Sequence, residues 1–201
     1  MKNKLLASLC FCLFLSSTVH AQETAGRIIV HTIEQSLELL KDPKLQSDDK
    51  LILRREKLWE LLEPIFNFEE IAKRALGHHW RDCSPAEKKE FTEVFTNILK
   101  DVYLGRSDSY SGEQIIYLNE ETEETRSKVY TNFITTDGKK IDIIFSMKKF
   151  ADIWQIYDVI IEGVSTVGNY RTQFNSIINK ESFTALMQQL KDKNFKNQEV
   201  Q

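Results

Sequence analysis

Proline occurs three times and glycine seven times in 201 residues, too rarely for a collagen-like or linker-dominated chain. Cysteine is scarce as well. Of the three cysteines, Cys10 and Cys12 lie in the first dozen residues, and without them Cys83 has no partner for an intrachain disulfide. No base and orienting residue surround Cys83 in the sequence, so it reads as an unreactive thiol at a helix boundary. There is no HExxH, no CxxC, no glycine-rich phosphate loop and no G-x-S-x-G elbow. His78 and His79 are adjacent, and neighbours on a helix point about 100° apart, which makes them poor co-ligands of one metal. These absences leave no metal site and no cofactor to expect. Long apolar runs are missing too: the longest, Leu5 to Leu15, is too short to span a bilayer core of about 30 Å as a helix.

That short run reads as an address. Lys2 and Lys4 form a basic start, the apolar stretch follows, and Val19-His20-Ala21 places small residues at −3 and −1. The pattern predicts a secretory signal over residues 1–21, cleaved before Gln22, and a single domain over 22–201. Leu9 and Phe11 precede the two early cysteines where a lipoprotein anchor needs small residues. The whole chain has 27 Lys+Arg against 30 Asp+Glu; Lys2 and Lys4 are the only charged residues of the leader, so a chain from Gln22 carries 25 against 30, a net −5. That balance predicts no general grip on nucleic acid or anionic lipid surfaces. A hydrophobic fraction of 41%, with 12 Phe and 6 Tyr, predicts a compact core rather than disorder.

Hydrophobic periodicity divides the chain into three parts. Ile29, Ile33, Leu37 and Leu40 repeat at helical spacing until Asp42-Pro43. Ser47 is placed to cap a second helix through Leu51, Leu58 and Leu62, closed by Pro64. Phe68, Ile71, Ala72, Ala75, Leu76 and His79 make an amphipathic stripe. Ser84-Pro85-Ala86-Glu87 is a capping box with proline at the first helical position, ahead of Phe91, Val94, Phe95, Ile98, Leu99 and Val102. Arg106 to Gly112 reads as a polar loop. The pattern then switches to strand-length segments, Gln114–Leu118, Ser127–Thr135, Lys140–Met147 and Trp154–Ile161, with Asp137-Gly138 as a hairpin signal. Ile141, Ile143, Phe145 and Met147 fall on one face of the third, Asp142 and Ser146 on the other. After Gly163 the helical period returns, in Val167, Tyr170, Phe174, Ile177 and Ile178 and again in Phe183, Leu186, Met187 and Leu190. The fold class is therefore α+β: helices packed against one curved antiparallel meander sheet of about four strands.

What the chain has in quantity is apolar and aromatic surface on both layers. Helical stripes carry Phe68, Phe91, Phe95, Tyr103, Phe174 and Phe183; the strands add Tyr130, Phe133, Phe145, Trp154 and Tyr157. Composition alone favours a well-filled core, and it does not tell such a core from one with a cavity. Tyr157, Asp158 and Glu162 on the last long strand admit an alternative, a small lyase or isomerase acting on an apolar substrate with Asp158 as acid/base. A module that binds only another protein is a third reading.

Two motif blocks go further. The run Phe66-Asn67-Phe68-Glu69-Glu70-Ile71-Ala72-Lys73-Arg74-Ala75-Leu76-Gly77-His78-His79-Trp80-Arg81, and the strand Trp154-Gln155-Ile156-Tyr157-Asp158-Val159-Ile160-Ile161-Glu162-Gly163-Val164-Ser165 followed by Asn169-Tyr170-Arg171-Thr172-Gln173-Phe174, resemble the corresponding segments of MlaC-type periplasmic phospholipid-binding proteins, the toluene-tolerance auxiliary component family. Asn67 stands where that family usually has Asp, and His79 where an aromatic residue is common. The resemblance implies a periplasmic carrier that encloses acyl chains in a cavity between helices and sheet, with no catalytic residue. It also implies two partners that exchange lipid with the carrier, an inner-membrane MCE-domain transporter complex and an outer-membrane lipoprotein complex. Physically the role makes sense: two acyl chains expose about 30 methylenes at roughly 0.8 kcal/mol each, on the order of 20–25 kcal/mol in water. Phe68, Ile71, Leu76, Phe95, Leu99, Phe145, Val164, Val167 and Phe174 are the expected tail contacts. Tyr170 and Arg171 are the expected head-group contacts.

Overall fold

The computed structural model describes residues 23–192; the expected leader, residues 1–21, and the last nine residues lie outside the described part. Helix α1 (Ala25–Lys41) starts where the Thr24 hydroxyl accepts the Arg27 N–H and ends at Asp42, whose carboxylate then caps a short 3-10 turn opened by Pro43. A second 3-10 turn over Asp48–Lys50 precedes α2 (Leu51–Leu62). Ser47 occupies the N-cap position of that turn without a side-chain bond to it, so the expected capping bond is not made. Helix α3 (Phe68–Leu76) is capped by Asn67, whose side-chain oxygen accepts the Glu70 N–H at 2.8 Å. It is shorter than the stripe that reached His79, because Gly77 turns the chain at φ +59 and Gly77–Arg81 continue as a 3-10 turn. Helix α4 (Pro85–Ser107) opens on a complete capping box. The Glu87 carboxylate accepts the Ser84 N–H at 2.8 Å, and the Ser84 hydroxyl accepts the Glu87 N–H at 3.3 Å.

The sheet has five strands in sequential antiparallel order: β1 (Gln114–Glu123), β2 (Arg126–Ile134), β3 (Lys140–Phe150), β4 (Ile153–Ile161) and β5 (Val164–Ser165). About four were expected. The fifth is two residues long, too short to show a period-2 pattern, and it forms because Glu162 and Gly163 both adopt positive φ and fold the chain straight back on β4. Gly138 at φ +86 closes the β2–β3 hairpin that Asp137-Gly138 signalled. The β3–β4 turn instead uses Ala151 and Asp152, both at positive φ. One alternation differs from expectation. Ser146 was placed on the outer face with Asp142, yet it is buried along with Met147. The register slips between these two residues, with Ser146 opposite Asp158 and Met147 opposite Ile156, so Tyr157 is an extra residue on β4. Such a bulge bends the strand and strengthens the local twist.

Helices α5 (Thr166–Lys180) and α6 (Phe183–Lys191) complete the helical layer. Two ties fix helices to sheet. Asn67 donates its N–H to the Ile156 carbonyl at 2.9 Å and its side-chain amide to Gln155 at 3.0 Å, joining the start of α3 to β4. At the other side the Gly26 N–H donates to the Glu120 carboxylate, joining α1 to β1. A Cβ on Gly26 would stand 2.6 Å from that oxygen and 3.0 Å from the Tyr117 ring, so a larger residue there would shift the Glu120 side chain.

Buried apolar side chains gather in two separate groups. One lies among α3, α4, α5 and α6 and is built on rings: Phe91 meets Phe174 edge-on at 5.7 Å, and Phe95 meets Tyr170 at 4.9 Å and Phe174 at 5.2 Å. Edge-to-face pairs at such distances add roughly 0.5–1.5 kcal/mol beyond the area they bury. The other lies where α1 meets the sheet, with Ala25 and Ile29 against Val129, Met147, Trp154 and Ile156. The space between the two groups is where the layers do not meet.

Candidate functional site

That space is a cavity of about 550 Å³. Helix α1 contributes Ile29, Ile33, Leu37 and Leu40, and α2 contributes Leu58, Trp59 and Leu62. From α3 and α4 come Phe68, Ile71, Phe95, Leu99 and Tyr103, and from the start of α5 Val167 and Tyr170. The sheet presents Ile115, Phe133, Ile141, Ile143, Phe145, Ile156, Val159 and Ile161. The alternation of strand side chains and the i, i+4 spacing of α1 aim these groups at one another. The walls stand apart where the first buried group packs the helices on one another, the second packs only the start of α1 on the sheet, and the two ties join α1 and α3 to the strands.

Polar groups are few and mostly engaged. At the end where α4 runs out, Arg106, Ser107, Ser109, Tyr110 and Glu113 border the cavity. The Ser107 hydroxyl donates to the Leu104 carbonyl at 2.7 Å and that of Ser109 to the Arg106 carbonyl at 3.0 Å. The Ser111 N–H donates to Glu113 at 2.8 Å, and this backbone bond holds the Glu113 carboxyl below the usual carboxylate range. Asp108, just outside, holds α2 to the end of α4: it accepts two bonds from Arg55, one of them from Nε at 3.0 Å, and lies 3.8 Å from Arg54.

Asp158, the one residue the sequence offered as an acid/base, reaches the cavity but its oxygens are committed. One accepts the Ser165 hydroxyl at 2.5 Å and the other the Val167 N–H at 3.0 Å, while Ser165 in turn accepts the Gly168 N–H at 2.8 Å. This is the N-cap of α5, built from a carboxylate and a hydroxyl in series. Glu162 is likewise structural, accepting the Asp142 N–H at 2.6 Å across the sheet. The Tyr157 ring lies under the Arg74 guanidinium at 4.1 Å. Cys83 is buried, and burial pushes its thiol up, away from the thiolate form. Among the described residues no group of three or more His, Cys, Asp or Glu is placed to hold a metal, and no helix is long and apolar enough to cross a membrane.

A cavity between a helical layer and a five-stranded meander has a counterpart in a solved structure. The phospholipid-binding protein of Ralstonia solanacearum, determined in complex with a phospholipid, superposes with a TM-score of 0.74 at 21% identity, over 86% of this chain and 97% of that one. The intermembrane phospholipid transport system binding protein MlaC of Haemophilus influenzae is 22% identical over 177 residues, 86% of this chain and 79% of its own. The model of the MlaC protein family matches residues 31–192. The chain belongs to the MlaC family.

The match runs from within α1 to the end of α6 and so includes all of the cavity lining except Ile29. Of the contacts expected from the sequence, Phe68, Ile71, Phe95, Leu99, Phe145, Val167 and Tyr170 are on those walls. Leu76 and Phe174 are not: both are sealed in the helical core, Phe174 with 0% exposure between the rings of Phe91 and Phe95. Val164 is 40% exposed on β5, away from the cavity. Arg171, next to Tyr170 in sequence, points about 100° away on the helix. Its stem lies over Gly77, where a Cβ would meet the Arg171 Cδ at 3.2 Å. It does not line the cavity.

Several wall residues of this MlaC family member were not picked out from the sequence. The α1 set reads as an ordinary core stripe, since a stripe looks the same whether it faces a packed layer or a void. The rim residues Arg106 to Tyr110 look in the sequence like part of a polar loop, yet α4 continues through Arg106 and Ser107. A signal existed on α1: Thr32 and Ser36, one turn apart, put two hydroxyls on the apolar face between Ile29 and Leu40.

Proposed function

We propose that this protein is a periplasmic carrier that encloses the acyl chains of a phospholipid non-covalently in the cavity between its helices and its sheet. The observation that carries this reading is the cavity itself: about 550 Å³ walled on both layers by aliphatic and aromatic side chains. Its relatives' names and the phospholipid in the Ralstonia solanacearum protein support it. In this reading the leader of residues 1–21 is removed on export and the chain from Gln22 works as one domain. It collects and delivers lipid at an inner-membrane MCE-domain complex and an outer-membrane lipoprotein complex.

At roughly 30 Å³ for a group the size of a water or a methylene, the cavity holds about 18 such groups, close to one full tail. Tail contact falls to Phe68, Ile71, Phe95, Leu99, Phe145 and Val167, with Tyr170 at the α5 end. Leu76, Val164, Arg171 and Phe174 take no part in it.

The carrier performs no covalent step. Asp158 supports α5 rather than a reaction, and its Asn variant separates the two roles. Asp158→Asn keeps an acceptor but not two, so it is expected to cost about 1 kcal/mol of stability while phospholipid uptake from vesicles stays within about twofold of the parent. Equilibrium unfolding and a vesicle-transfer assay read the two quantities. Unimpaired stability with abolished uptake would contradict the capping role and make Asp158 a lipid contact instead.

A further inference from the structure

Resting on the carrier reading, one pair of cavity groups has no structural purpose. The Ser36 hydroxyl and the Tyr110 phenol oxygen are both shielded from solvent and have no hydrogen-bond partner among the described residues, and both residues line the cavity. Their polar neighbours on the wall are spoken for. The Ser107 and Ser109 hydroxyls donate to backbone carbonyls, Asp158 caps α5, and Glu113 accepts from Ser111. Burying a hydroxyl without a partner is unfavourable, and native proteins seldom leave one so without a reason. Alanine at 36 and phenylalanine at 110 would build the same helix and the same loop without that cost.

We infer that Ser36 and Tyr110 are the hydrogen-bond donors that hold the polar end of the cargo. Each O–H donates one bond, so the group they fit carries acceptor oxygens: the ester carbonyls and phosphodiester of a glycerophospholipid. Arg106, on the same rim as Tyr110, supplies the positive charge that a phosphodiester favours. The apolar walls take any hydrocarbon of suitable length. These two donors add a requirement for acceptor oxygen, and the carrier thereby discriminates a headed lipid from bare hydrocarbon.

The test compares Ser36→Ala, Tyr110→Phe and the double variant with the parent on two probes. One is phosphatidylglycerol with a fluorescent acyl tail; the other is diphenylhexatriene, an apolar rod with no head group. The single variants are expected to bind the phosphatidylglycerol probe roughly 3- to 10-fold more weakly, and diphenylhexatriene as well as the parent or better. Because the hydroxyls have no hydrogen-bond partner among the described residues, the melting temperature of the lipid-free variants should hold or rise. Unchanged phosphatidylglycerol affinity, an equal loss for both probes, or a fall in melting temperature overturns the inference. If the parent itself takes up neither probe, the carrier reading has failed, and the inference falls with it.

Discussion

Replacing Ile143 on β3, or Leu37 on α1, by tryptophan is expected to leave the fold intact and to remove most of the capacity to bind lipid. Both side chains face the cavity from opposite layers, and both are half-buried. An indole adds roughly 60 Å³ to the side chain it replaces, the room of about two methylenes at roughly 30 Å³ each, in space that the protein leaves open. At roughly 0.8 kcal/mol for each methylene excluded, the loss is about 1.6 kcal/mol, on the order of 15-fold in affinity. Stability should move the other way or not at all, because filling a void restores contacts its lining lacks. Weaker binding together with an unchanged or higher melting temperature is the signature of a site rather than of damage. A large fall in melting temperature would mean that the walls are packed and the cavity is not there to fill.

Phe174→Ala should do the reverse. Its ring is fully enclosed in the helical core, edge-on to Phe91 and Phe95, and truncating such a ring costs about 3–5 kcal/mol. Phe145→Ala removes the same atoms from a half-buried position that already borders open space; its cost should fall below the roughly 3–5 kcal/mol of a fully enclosed ring. Lipid affinity separates the pair in the opposite sense. Where Phe174→Ala is still folded it should bind lipid like the parent, whereas Phe145→Ala loses a wall contact and binds more weakly. Urea unfolding curves and probe titrations on the two variants measure all four quantities. Equal destabilisation by the two would dissolve the distinction between core and wall.

That distinction is also the limit of what could be read from the sequence. The capping box at Ser84-Glu87, the hairpin at Asp137-Gly138 and the order of helices and strands were legible because each rests on local chemistry: a hydroxyl, a carboxylate, a glycine at fixed offsets. Leu76 and Leu99 were not distinguishable in the same way. Both sit on apolar stripes, but Leu76 faces other helices and Leu99 faces the gap, and that depends on how far the layers stand apart. The spacing is set by contacts remote in sequence, Asn67 with Gln155 and Ile156, and Gly26 with Glu120. Arg171 shows a second limit. Its place beside Tyr170 in the sequence made it a head-group contact, yet one residue along a helix is enough to send a side chain to a different surface. Tyr110 shows a third: in a loop with no periodicity, nothing in the sequence says which side chain turns inward.

The central claim is that this chain carries lipid inside itself. The most direct measurement is native mass spectrometry of the exported chain, purified from the periplasm without detergent, followed by extraction into organic solvent. The account predicts a species heavier than the chain from Gln22 by the mass of a phospholipid, with that lipid recovered in the organic phase, and less of it with Ile143→Trp. A chain of bare polypeptide mass that also takes up no phospholipid from vesicles would contradict it.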